Sequence, residues 1–343
     1  MKNENSEINE LFNKAIQNHK NNKLNEAFKL YQIILNKNPN HFESNFYLGT
    51  LFAQGNNLIK ASEFYKKAIE INKNVPDLHS NLGLVLLQLG EIQNAELSIK
   101  KAIQINPNFA MGYNNLGLVN QKLGKYEEAK NFFKKSIELE PNIVDPYNNL
   151  GLFYYSANNY EEAKKYFLKI IEINKNFIPA YLNLGNIYKK IGEIEKSQNY
   201  YEQIIKINPN YFEAYNNLMD LFEKTNQNKK LEKIISEANI KFANNLVVQL
   251  FYGKYLYNEE NYSNAISVLE GIKFPENQLH REGSKCLILA KSYEKTGNYE
   301  QAFEYFRITN NINSSNKNKN INKNNIFKTI EERFNFLKEI NNT

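Results

Sequence analysis

Five asparagines, Asn81, Asn115, Asn149, Asn183 and Asn217, follow one another at intervals of 34 residues. A carboxamide carries two N–H donors and a carbonyl acceptor, which is the complement of a peptide backbone. A column of such groups can therefore hold an extended polypeptide without reading its side chains. Three residues after each amide stands a second column, Leu84, Leu118 and Leu152, continued by Asn186 and Asp220. Five amides contributing about 0.5–1.5 kcal/mol each would supply roughly 2.5–7.5 kcal/mol. Micromolar affinity needs about 8 kcal/mol. The apolar or charged neighbours must contribute if such a column binds usefully.

The residue types that carry covalent or metal chemistry are not arranged for it. His19, His41, His79 and His280 are scattered without metal-ligand spacing. Gly124-Lys125 and Gly253-Lys254 lack the upstream glycine and the following Ser or Thr of a phosphate loop. Glu127-Glu128 and Glu161-Glu162 are better placed to favour a helix start than to act as an acid/base pair. Cys286 is the single cysteine, so neither an intramolecular disulfide nor a cysteine-based zinc site is expected. The expectation is a non-enzymatic chain with no catalytic residue, metal or cofactor.

The elements that would position the amides share their period. Leu-Gly pairs stand at 48–49, 82–83, 116–117, 150–151 and 184–185, and small residues at Ala27, Ala61, Ala95, Ala129, Ala163, Ser197 and Ala265. Pro39, Pro107, Pro141 and Pro209 lie on the same lattice. In a 34-residue unit numbered from Ile8, positions 4, 7, 8 and 11 fall within about 100° on a helix, one apolar stripe. Glycine at 8 and alanine at 20 allow two helices to approach closely, and proline at 32 ends the second. Helices of about 14 residues are marginal alone, so each pair must lean on its neighbours.

These residues resemble the tetratricopeptide repeat family. In the unit 110–143 the match is carried by Tyr113, Leu116, Gly117, Gly124, Tyr126, Ala129, Phe133 and Pro141. The resemblance implies an all-α, right-handed superhelical solenoid of about nine helix-turn-helix repeats. It divides the chain into a repeat array over 1–309, with repeats starting near 8, 42, 76, 110, 144, 178, 212, 246 and 283. An Asn/Lys-rich linker over 310–325 and an amphipathic C-terminal helix over 326–343 follow, the latter with Ile326, Ile330, Phe334 and Leu337 on one face. Repeat seven departs from the pattern at Met219, Asn226, Asn228 and Leu231, which predicts a distorted joint. The register slips by three near Gly271, Pro275 and Arg281, which predicts a bend or looser packing.

In this family the first helices line a concave surface. The resemblance therefore places Asn81, Asn115, Asn149, Asn183, Asn217, Leu84, Leu118, Leu152 and Asn186 in a groove for a peptide or partner protein. Glu43, Asp77, Asp145 and Glu213 would form one rim, and Lys122, Lys190 and Lys224 the other. The amide column looks like that in the repeat arm of O-linked N-acetylglucosamine transferases. Two alternatives stay open: asparagine is common at this position in the family, and the leucines can pack between adjacent first helices. A charged clamp for peptide C-termini is not expected, because position 5 holds Phe46, Ser80, Asn114, Asn148 and Leu182. A second functional reading is the recognition arm of a glycosyltransferase or sulfotransferase acting through a separate catalytic unit, and a third is self-association.

Composition limits the partner. The net charge of +6 comes from 43 basic and 37 acidic residues mixed along the chain, a solvated surface rather than a nucleic-acid-binding stripe. No stretch approaches 18 uninterrupted apolar residues and the N-terminus lacks a signal peptide's apolar run, so no membrane is expected, and the location expected is cytoplasmic.

Overall fold

The computed structural model describes residues 2–315, and among them every regular element is helical. The chain opens with α1 (Lys2–Lys20), α2 (Leu24–Lys37), α3 (Phe42–Gln54), α4 (Leu58–Ile71), α5 (Pro76–Gln88) and α6 (Ile92–Ile105). It continues through α7 (Ala110–Lys122), α8 (Tyr126–Leu139), α9 (Val144–Ser156), α10 (Tyr160–Ile173), α11 (Ile178–Lys190) and α12 (Ile194–Ile207). The last six are α13 (Phe212–Lys224), α14 (Asn228–Lys241), α15 (Leu246–Asn258), α16 (Tyr262–Glu270), α17 (Leu279–Lys295) and α18 (Tyr299–Ser315). Odd-numbered helices are the first of each pair. The fold is an all-α helical-repeat solenoid, and it divides into two compact units, Met1–Ala180 and Tyr181–Thr343. None of the described helices is long and apolar enough to cross a membrane.

Each hairpin turns through one residue of left-handed backbone at position 15. Glycine fills it at Gly90, Gly124, Gly192 and Gly297, with φ between 75° and 83°. Asparagine fills it at Asn22, Asn56, Asn158 and Asn226, and Glu260 does so with φ of 59°. Asparagine tolerates this conformation because its short side chain can bond locally, whereas glutamate has no such compensation. Repeat seven therefore turns in the ordinary way despite lacking glycine.

Within a pair, the helices meet across the glycine at position 8. A Cβ added to Gly117 would lie 2.5 Å from the Phe133 ring, and one on Gly185 2.5 Å from the Tyr201 ring. Phe133 and Tyr201 are fully buried in consequence. Ser197 keeps the crossing tight where alanine is usual, donating its hydroxyl to the Gly185 carbonyl at 2.8 Å. In repeat seven Met219 occupies the glycine position and is itself fully buried, a flexible side chain filling the seam instead of leaving it open.

Between pairs, two polar devices hold the connection. Asn38, Asn72, Asn106, Asn174 and Asn208 end their helices in extended backbone. Each accepts the N–H two residues on, at 3.0–3.1 Å. The extended conformation suits the proline that often follows, and the side chain closes an Asx turn. Position 4 of the next helix then hydrogen-bonds the carbonyl six residues back. Asn45, Tyr147, Tyr215 and Gln249 donate to it at 2.7–3.2 Å. His79 Nε2 lies 2.8 Å from the Lys73 carbonyl, so this histidine serves the turn.

The ninth pair differs from expectation at both ends. α17 starts at Leu279, ahead of 283, and α18 runs past Thr309 to Ser315, so the first residues assigned to a linker over 310–325 are helical. No glycine or proline stops α18, and Ile312 packs 3.3 Å from where a Cβ on Gly283 would stand. The rest of that linker and the amphipathic helix expected over 326–343 lie outside the described residues. The register slip also does not loosen the packing. Glu282 pairs with the buried Lys285 at 2.6 Å and accepts the Phe274 N–H at 3.0 Å, while Lys285 donates to the Ile272 carbonyl at 2.9 Å. This strap pins Ile272 and Phe274 inside. Burial beside it pushes the Cys286 thiol up to about 11.

Candidate peptide-binding face

In the unit Met1–Ala180, the asparagines on α5, α7 and α9 do not all face a ligand. Asn115 is 2% exposed. Its Nδ2 donates to Ser80 Oγ at 2.8 Å and its Oδ1 accepts from Asn114 Nδ2 at 3.1 Å. Asn149 Nδ2 in turn donates to Asn114 Oδ1 at 2.9 Å. The relay Asn149–Asn114–Asn115–Ser80 ties three first helices side by side. Both cross-helix bonds join residues 35 apart, position 6 of one repeat to position 5 of the one before. Asn115 is thus occupied by its own neighbours. Asn81 is half-buried, and 35 residues before it stands Phe46, which offers no hydrogen-bond partner.

Sequence reasoning used position 5 only to set aside a clamp and missed its part in this relay. The signal was present in the adjacent pair Asn114-Asn115, one of which bonds to each neighbouring first helix.

The leucine column lies three residues on. Leu84 and Leu118 are half-buried and Leu152 is 40% exposed. Leu118 also packs against the cluster of Ala129, Phe133 and Leu150. These first helices carry little charge. Across α3, α5, α7 and α9 the ionisable acids and bases are Glu43, Asp77, Asp145 and Lys122, with His79 committed to the turn. The second helices of the same unit differ. Glu96, Glu138, Glu161, Glu162 and Glu172 pair with lysines three or four residues away on their own helices at 2.5–3.2 Å. Glu127 does the same with Lys130. Hydrogen bonds that Lys165 and Lys169 donate to Glu162 and Glu172 hold both ammonium groups above the usual lysine value.

In the unit Tyr181–Thr343, the same helix-to-helix crossings are closed by charge. Lys189 on α11 lies 3.4 Å from Asp220 on α13, and Lys254 on α15 lies 2.9 Å from Glu223 on α13. Both bonds join residues 31 apart, position 12 of one repeat to position 9 of the next. Lys224 adds a second cation to Asp220 at 2.8 Å. The equivalent crossings of the first unit are Ala53 with Leu84, Leu87 with Leu118 and Gln121 with Leu152. Of the asparagines expected here, Asn183 and Asn217 are half-buried, and Asn186 accepts the Tyr201 hydroxyl at 2.7 Å. Among the described residues no group of three or more His, Cys, Asp or Glu side chains could hold a metal ion.

Matches to tetratricopeptide repeat families cover residues 76–109, 110–143, 144–177, 178–211 and 286–307, with a further TPR match over 49–90. No curated protein matches the chain. Among solved structures it is similar to PilF of Pseudomonas aeruginosa, with 22% identity over 62% of this chain and 97% of that one and a TM-score of 0.50. PilW, a type IV pilus biogenesis factor, is 19% identical over 60% of this chain and 94% of its own, with a TM-score of 0.52. MamA is 26% identical over 47% and 94%, with a TM-score of 0.40. At these identities PilF and PilW share the fold alone. With the repeat matches unbroken from 49 to 211 and resumed at 286, more than half of its length, the chain belongs to the tetratricopeptide repeat family.

Proposed function

We propose that the chain is a non-enzymatic scaffold that binds an extended segment of a partner protein on the first-helix face of the unit Met1–Ala180. The observation that carries this reading is the accessible strip of Leu84, Leu118 and Leu152 along helices that hold almost no charge. Apolar side chains of a partner would lose water against the leucines, at about 25 cal/mol per Å². Asn81 and Asn149 stand beside the strip to meet its backbone. Asn115 positions the helices and does not touch the ligand. Asn183, Asn186 and Asn217 belong to a more polar face and play a secondary part. The single buried Cys286 suits a reducing compartment such as the cytoplasm.

The reading is tested by titrating the full chain into a labelled, uncharged, leucine-rich 12-residue peptide. Saturable binding that Leu84→Asp with Leu152→Asp abolishes, at unchanged helicity, is expected. Binding that survives both changes contradicts the choice of face. Turnover of a sulfuryl or glycosyl donor by the pure chain contradicts the non-enzymatic reading.

A further inference from the structure

Resting on that face, we infer the chemistry of its partner: a mainly apolar extended segment whose charges are positive and spaced about six residues apart. Some carboxylates of this unit are spent on lysines and others are free. Six of the ten carboxylates on the second helices of the first unit are paired with lysines on their own helices. Asp77 and Asp145 are exposed and have no cation within ion-pair reach among the described residues. The sequence explains the difference. Three and four residues after Asp77 stand Ser80 and Asn81, and after Asp145 stand Asn148 and Asn149, so neither aspartate has a helix partner.

Both stand in the first turn of their helices, α5 and α9, and are exposed, so their carboxylates face outward. Lys122, the one lysine on these helices, sits in the last turn of α7, at the opposite rim. A chain whose overall charge is +6 thus presents here a face that is apolar along its middle and negative along one edge.

Spacing follows from the fold. α5 and α9 are two first-helix steps apart, and packed helices lie about 8–10 Å from axis to axis. An extended segment rises about 3.3 Å per residue, so two cations about five or six residues apart would reach both aspartates. The residues between them would lie over Leu84, Leu118 and Leu152.

The test is fluorescence anisotropy at low salt on the full chain, with three 12-residue peptides of the same apolar residues. They carry Lys, Gln or Glu at two sites six residues apart. The expected order of affinity is Lys, then Gln, then Glu, with about tenfold between the extremes. D77N/D145N should bring the Lys and Gln peptides within about twofold of each other, while D77E/D145E keeps the order. Equal binding of all three, or an order that D77N/D145N does not alter, overturns this inference while the proposed function stands. Failure of the Gln peptide to bind wild type overturns the proposed function as well.

Discussion

The two units build their first-helix faces on the same lattice and fill it with opposite chemistry. Where α11, α13 and α15 cross in the second unit, Lys189 meets Asp220 and Lys254 meets Glu223. The corresponding crossings of the first unit hold Leu84, Leu118 and Leu152, and its helices are joined instead through positions 5 and 6 by the Asn149–Asn114–Asn115–Ser80 relay. An ion pair satisfies both of its partners and leaves little for a ligand. A half-covered leucine still loses water when something covers it. The fold needs only that neighbouring helices be joined, and the way each unit joins them decides what remains to bind.

Both units have a glycine seam beneath the first-helix face, and the largest expected effect lies there. Gly117→Leu drives a side chain into the Phe133 ring and should cost about 1–3 kcal/mol or more in urea unfolding. Met219→Leu, at the seam of repeat seven that a side chain fills in place of glycine, should cost less than about 1.5 kcal/mol. Equal losses would mean that the seams are not built differently. Next comes Asn115→Leu, which removes the donor to buried Ser80 Oγ and the acceptor of Asn114 Nδ2 and should cost about 1–3 kcal/mol. That loss should be the same at low and high salt, since no charge is involved.

Glu260→Gly relieves a left-handed glutamate and should raise stability by about 1 kcal/mol, read as a higher urea midpoint. Smallest is the removal of the Lys189–Asp220 pair by a double change to alanine. Both side chains are partly exposed, so the coupling between them should be no more than about 1 kcal/mol and should vanish in 1 M salt. A double-mutant cycle at two salt concentrations separates this charge-based joint from the neutral relay of the first unit.

How far the sequence alone reached follows from which constraints repeat. The 34-residue period and the glycine facing Phe133 or Tyr201 could be read directly, and so could the turn at position 15 wherever glycine fills it, whereas Asn226 looked like a defect and Glu260 gave no signal. The clamp at position 4 could not, because Asn45, His79, Tyr147, Tyr215 and Gln249 perform it with four kinds of side chain. The column reading paired each asparagine with the one 34 residues away, whereas the bonds run to residues 35 away, so Asn115 looked free when it is enclosed. The strap at Glu282 and Lys285 occurs once, in a segment off the lattice, and had no period to reveal it.

The most direct test of the account is photo-crosslinking of an apolar, lysine-bearing peptide to the full chain, with the sites of attachment mapped by mass spectrometry. The account predicts attachment on α5, α7 and α9, concentrated near Leu84, Leu118 and Leu152. Attachment chiefly on α13 and α15, or on the second helices, would contradict it.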